Sequence, residues 1–222
     1  EEIVSDYGAA RFLNVEAKYG GRYLPENQTW AKQTIAHNTV VVDEESHFNA
    51  NVEKGNANHP ELIFFAENEQ VKVSAAHIDS AYEGVDLKRT IALINLPVNL
   101  KSKQKQSFVV DVFEVTSDES HQYDLPVHYK GQVISTDFEL NTQVTSLSVL
   151  GKDNGYQHLW LKAQAQPKAG LSQITWLNEN GRFYTHSAIL DGNSSVMFTQ
   201  IGANDPLFNL RNENAFITRK SQ

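Results

Sequence analysis

The chain contains no cysteine. Disulfides, thiolate metal sites and cysteine nucleophiles are excluded together, while the cellular compartment stays open. Methionine occurs once, at Met197, and the chain opens EEIV with its apolar pattern already under way. A piece of a longer protein is therefore expected. Basic residues are scarce: 19 Lys and Arg face 27 Asp and Glu, giving a net charge of −8 and a pI near 5.5. That balance speaks against nucleic acid and anionic membranes as partners, but a local basic cleft can still take a polyanionic substrate. No apolar run approaches the roughly 18 residues of a membrane span; runs such as residues 62–65 (LIFF) and 108–110 (FVV) are far shorter. A signal peptide is also lacking. So are a Gly-x-Ser-x-Gly elbow, a P-loop, a GxGxxG turn and a His-Glu-x-x-His helix, which removes support for serine hydrolase, nucleotide-binding and zincin readings.

What is present reads as sheet. Hydrophobic residues make up 40% and charged residues 21%, an ordinary globular balance that supplies a core. No segment holds a 3.6-residue period over a helix-length window. Residues 34–42 are dense in β-branched side chains and predict a strand. Strands are likewise predicted at 62–65, 71–74, 86–96, 106–116, 127–136, 145–150, 158–165, 173–178, 181–190, 196–201 and 215–219. Asn180-Gly181 is a hairpin signal between two of them. Roughly a dozen strands at this spacing predict an all-β fold, a large antiparallel β-sandwich. Loops are expected at 49–60, 96–106 and 153–155, and no linker or repeat marks a boundary, so residues 1–222 read as one β-sandwich domain.

Eight histidines are present, at positions 37, 47, 59, 77, 121, 128, 158 and 186. His121, Asp124 and His128 (HQYDLPVH) can be drawn as a metal cluster, but seven residues of extended chain send the two rings to opposite faces. Trp160 and Trp176 are expected in the core rather than stacked on a sugar, and the basic run at 101–105 (KSKQK) as a solvated connection.

The densest polar stretch is SDYGAAR (5–11) followed by GGRYLPENQTWAKQTIAHNTVVVDEESHF (20–48). With AYEGVDLKRTIALI (81–94) and FVVDVFEVTSDESHQYDLPVHYKGQ (108–132), it resembles the β-domain of the heparinase II/III-like polysaccharide lyases. The Trp-Ala-Lys-Gln lead-in to AHNTVVVD is similar to the family-17 alginate, or oligoalginate, lyases. That resemblance implies an N-terminal α/α toroid outside this chain and a C-terminal β-sandwich, with the active site in the canyon between them. It places the family's catalytic tyrosine on Tyr23, as general acid and also as base. The carboxylate-binding arginine falls on Arg11. The aspartate and the second histidine of a structural zinc site fall on Asp6 and His37, with the third ligand upstream. With two of three ligands present, weak or absent zinc is expected in this chain alone, and no lyase activity without the toroid.

Function follows as an expectation: exolytic β-elimination on mannuronate-containing alginate, by a bacterial periplasmic or secreted protein, with a homodimer left open. The rival readings are a non-catalytic carbohydrate-binding or scaffold module, and a lyase of the same superfamily acting on heparin or heparan sulfate. The residue chemistry suits the first. A uronate's C5 proton is weakly acidic while the carboxylate keeps its charge, so a bidentate cation such as Arg11 is needed to stabilise the enolate. A tyrosine, with an ordinary pKa of about 10, suits an alkoxide leaving group. Asn38 is expected to satisfy backbone groups beside the site.

Overall fold

The computed structural model describes residues 3–10, 24–97 and 107–222. In chain order the strands are β1 (Val41–Val42), β2 (Glu61–Glu67), β3 (Val71–Tyr82), β4 (Val85–Asn95), β5 (Ser107–Ser117), β6 (Gln122–Tyr129) and β7 (Gln132–Thr136). They continue as β8 (Asn141–Thr142), β9 (Ser148–Val149), β10 (Leu159–Ala165), β11 (Gly170–Leu177), β12 (Phe183–Leu190), β13 (Ser195–Ile201) and β14 (Asn214–Ser221). The chain divides into two compact units, Glu1–Ser46 with His121–Gln222, and His47–Ser120. Among the described residues no helix is long and apolar enough to cross a membrane.

The first unit is an antiparallel sandwich. Its larger sheet runs β1-β6-β14-β13-β10-β8, with β9 also paired to β10; the smaller runs β12-β11-β7. Side-chain alternation along β13 and β14 explains why the larger sheet is buried on both faces. Val196, Phe198 and Phe216 turn toward the smaller sheet and pack with Tyr129, Ile174, Trp176 and Leu190. Met197 and Ile217, cross-strand partners in register, turn the other way. There they join Tyr7, Leu24, Trp30, Ile35, Tyr156, Leu159 and Leu210. The second cluster is the floor on which the N-terminal stretch lies. Trp176 occupies the core as expected, and Trp160 is half-buried.

The second unit is an antiparallel meander, β2-β3-β4-β5. Before it stands one short helix, α1 (Val52–Ala57), whose first turn is closed by Lys54 N–H donating to Asn51 Oδ1 at 2.9 Å. This turn of helix lies where a loop is expected.

Three predicted strands come out differently. Residues 34–42 are a 3₁₀ turn at Thr34–Ala36 and only two residues of strand, β1. Their β-branched side chains serve burial instead, with Ile35, Val40, Val41 and Val42 all at 3% exposure or less. Residues 127–136 are split into β6 and β7, which belong to different sheets. The turn between them needs Gly131: its φ is +102°, and a Cβ there would lie 2.0 Å from the Leu177 carbonyl oxygen. Residues 145–150 contribute only β9, which pairs with Trp160 and Leu161. The polar β8, which no sequence pattern marks, covers the next stretch of the same edge.

Candidate functional site

Val4 bridges to Tyr129, and Ser5 N–H donates to His128 O at 2.9 Å, so the N-terminal segment lies along β6. Tyr7 then plunges into the core, 2% exposed and edge-on to Trp30 at 5.7 Å. Arg211 clamps it from outside. The Arg211 backbone N–H donates to the Tyr7 hydroxyl at 2.8 Å, and the guanidinium lies 4.1 Å over the ring while donating to the Tyr7 and Ala9 carbonyls. Asn27 secures the next point, its Oδ1 accepting from Ala10 N–H at 3.0 Å while its own backbone N–H donates to Leu24 O at 3.0 Å. The two residues flanking 11–23, Ala10 and Leu24, are thus buried and tied to one asparagine. Arg11 and Tyr23 lie outside the described residues.

Asp6 and His37 are brought together from 31 residues apart. His37 Nδ1 stands 3.1 Å from Asp6 Oδ1 and 3.3 Å from Oδ2. Asp6 is held by a local turn in which Gly8 N–H donates to Oδ1 at 3.2 Å, with Gly8 at φ +70°. The His37 ring is fixed from its far side by Nε2, 3.1 Å from the Ala31 carbonyl. A carbonyl and a carboxylate both only accept, and a neutral imidazole has a single N–H, so it can serve only one of these two contacts. Two acceptors then face each other. Either a second proton on the imidazole or a cation between them resolves the conflict. The donor set, one imidazole and one carboxylate, suits zinc, and a backbone carbonyl on the other ring nitrogen is the usual outer-shell support of a metal-binding histidine. These two residues fit part of such a site; among the described residues no third His, Cys, Asp or Glu joins them.

Asn38 does what its place suggested. Its Nδ2 donates to Ser5 O at 2.8 Å and its Oδ1 accepts from His128 N–H at 2.8 Å, pinning the segment to β6. Beneath lies His128, 1% exposed, with Nε2–H donating to Ile35 O at 2.8 Å. Burial lowers its pKa to about 4, so it is neutral. Ser5 Oγ, Asn27 Nδ2, Trp30 Nε1 and His128 Nδ1 are all buried without a partner among the described residues. Orphaned polar groups concentrate under this site. The HQYDLPVH residues, whose spacing argued against a metal cluster, disperse: His121 pairs with Asp43 at 2.6 Å, His128 with Ile35, and Asp124 with Arg219 and Tyr156. Sequence reasoning missed Asn27 and Arg211, because nothing in ENQTW or LRNEN marks a brace.

An antiparallel β-sandwich carrying a half-exposed imidazole–carboxylate pair on a fastened N-terminal segment is the class that fold and site define. Comparison with known proteins gives the family. Residues 1–212 match the family model "Heparinase II/III-like, C-terminal", and the chain belongs to that family. It is 46% identical over 217 residues to an alginate lyase of Stenotrophomonas maltophilia (strain K279a). It is 44% identical over 221 residues to an exo-oligoalginate lyase of Saccharophagus degradans (strain 2-40). Each match covers 98% of this chain, but only 28% and 29% of the relatives' lengths.

Proposed function

We propose that this chain is the β-sandwich part of an alginate or oligoalginate lyase. The identity of 44–46% along its whole length to two proteins bearing those names carries the reading. The remaining length of those relatives leaves room for an N-terminal α/α toroid that completes the canyon. In the reaction, a proton leaves C5 of a uronate, the C4–O4 bond breaks and a C4=C5 double bond forms. Arg11 binds the carboxylate through two N–H groups and stabilises the charge that develops on it. Tyr23 removes the C5 proton and returns one to the departing O4, which balances the step. The substrate is mannuronate-containing alginate, attacked from a chain end in the periplasm or outside the cell.

Tyr23→Phe in the full-length protein tests the chemistry. Absorbance of the unsaturated uronate should fall by at least about 10²-fold in kcat, the usual scale of a lost general acid or base. A rate near that of the native enzyme would remove Tyr23 from the mechanism. Parallel assays on alginate, heparin and heparan sulfate identify the polymer.

Zinc, when bound, would be structural: Asp6 and His37 would hold it, tying the N-terminal segment to the residue that follows the Thr34–Ala36 turn. Elemental analysis of the full-length protein should give about one zinc per chain, with His37→Ala removing most of it. Metal content unchanged by that substitution, or no metal in the native protein, would refute the assignment.

A further inference from the structure

Between β13 and β14 the chain passes through a loop, residues 202–213, that is fastened along most of its length. Asp205, 6% exposed, accepts from Asn209 N–H at 3.0 Å and from Leu210 N–H at 2.8 Å. Asn209 is itself buried and donates through Nδ2 to Glu26 Oε2 at 3.2 Å. The His158 ring bridges the Ala203 carbonyl, 2.9 Å from Nδ1, and the Thr29 hydroxyl, 2.8 Å from Nε2. Asn204 Nδ2 donates to Gln157 O at 2.8 Å, and Gln157 Nε2 donates to Thr29 O at 3.3 Å. Near the end of the loop, Arg211 N–H reaches the Tyr7 hydroxyl at 2.8 Å. The loop is thus tied to both segments that flank residues 11–23, the stretch in which Arg11 and Tyr23 fall: to Tyr7 on one side, and to Glu26 and Thr29 on the other.

Leu207 and Phe208 are the exception. They are consecutive, and they are 73% and 70% exposed. Phe208 also holds φ at +54°, a left-handed conformation that bulky side chains rarely adopt. Neither feature helps the fold, since apolar surface left in water gains nothing from burial. A backbone outlier on a loop otherwise bonded to its surroundings points to a function for what it presents. Size and charge narrow the ligand. Specific protein partners cover about 1,000 Å² or more, whereas one aromatic side chain buries about 150–250 Å². Two side chains are a small patch for a protein but the right area for one pyranose ring. The net charge of −8 works against an anionic membrane. The face of a phenyl ring is electron-rich and attracts C–H bonds that carry partial positive charge. A β-linked mannuronate in its chair turns the axial C–H bonds of C1, C3 and C5 to one face and keeps its carboxylate equatorial, in water. An α-linked guluronate puts axial oxygens on both faces.

We propose that Leu207 and Phe208 form a stacking platform for one mannuronate ring of a bound oligosaccharide, a ring other than the one that loses its C5 proton. The assignment rests on the lyase reading for the choice of sugar. The test uses the full-length protein with Leu207→Ala, Phe208→Ala and Phe208→Tyr, the last of which keeps the ring. Because both side chains are exposed, the melting midpoints should match that of the native protein. In Phe208→Ala, KM for a mannuronate tetramer should rise about fivefold with kcat unchanged, the pattern of lost ground-state binding on the scale of one aromatic contact. Leu207→Ala should shift KM in the same direction, and Phe208→Tyr should keep the native value. Saturation-transfer NMR with the same tetramer needs no turnover, and in Phe208→Ala the H1, H3 and H5 signals of one ring should fall severalfold. Unchanged KM and unchanged ring signals would overturn the proposal. So would a lowered melting midpoint in Phe208→Ala, which would mean that the tip packs against the remainder of the full-length chain. A guluronate tetramer whose KM or ring signals change as strongly would overturn the choice of mannuronate. A native protein that turns over no uronate, yet gives ring signals that Phe208→Ala abolishes, would sink the lyase reading and leave the platform standing.

Discussion

His128 illustrates how a single residue is set by its surroundings. Its ring sits 1% exposed under the Asp6–His37 pair, with one nitrogen donating to the Ile35 carbonyl and the other without a partner among the described residues. Burial, the largest influence, drives the folded pKa from 6.5 to about 4, with the neighbouring His37 acting in the same direction. A folded pKa below the unfolded one means that the unfolded chain binds the proton first. The contribution is therefore fully present above pH 6.5 and is lost as pH falls through the folded value of about 4. A shift of that size corresponds to about 3 kcal/mol across the window. Proton NMR of the imidazole should show His128 neutral down to about pH 4, with urea stability falling between pH 6.5 and 4. A ring that titrates near 6.5 in the folded protein would contradict the burial argument. At this scale the site was only partly legible. Asp6 and His37 lie 31 residues apart, and no spacing rule joins them; only the resemblance named them together, and in the structure they stand 3.1 Å apart. Asn27 and Arg211 were illegible, because their work is to satisfy backbone groups of a segment whose path is not readable from its residue types.

Among the elements, long strands were readable and short or irregular ones were not. β4 and β5 are hydrogen-bonded over almost their whole lengths, and their alternation survives in the sequence, whereas β3 continues to Tyr82, well beyond the predicted 71–74. The stretch at 34–42 misled because β-branched residues favour both strands and buried positions. Here the backbone's needs are met by side chains instead of a ladder. Thr34 N–H donates to Ser46 Oγ at 3.1 Å, and Ser46 is in turn tied to Gln33 Oε1 at 2.6 Å. The 153–155 loop closes over the same turn. Gly155, at φ +94°, comes so close that a Cβ would stand 2.5 Å from Ile35 Cγ2 and 3.4 Å from Trp30. A buried turn walled by a loop 120 residues away is a tertiary fact that local pattern cannot carry. The same holds for Asp124 and Arg219. Arg219 donates to both Asp124 oxygens, at 2.7 and 2.6 Å, and to Glu44 at 2.7 Å, and the Tyr156 hydroxyl completes the carboxylate's shell at 2.7 Å. This knot locks β6, β14 and the chain after β1 to one another.

At the scale of the whole molecule, apolar burial is unevenly shared. The first unit holds both core clusters, with Trp30, Tyr156, Phe216 and Ile217 fully enclosed. In the second unit, the buried hydrophobic side chains among the described residues are Ala75, Ala81, Val85 and Leu87, two of them methyl groups. Its edge strand β2 is exposed along its full length, and Leu62 and Phe65 are 66% and 58% accessible. Stability follows buried apolar area at about 25 cal/mol per Å², so a unit with so little enclosed has little to hold it closed. Opening free energies in one chain span from near zero up to the global value, according to local burial and contact. Amide hydrogen exchange on the 222-residue chain should therefore rank β2 as the fastest of the long strands. β13 and β14, buried on both faces, should exchange last, with protection at least about 10²-fold greater, equivalent to about 3 kcal/mol. Equal protection in β2 and β14 would mean that the meander opens only with the sandwich, and that the two units unfold as one.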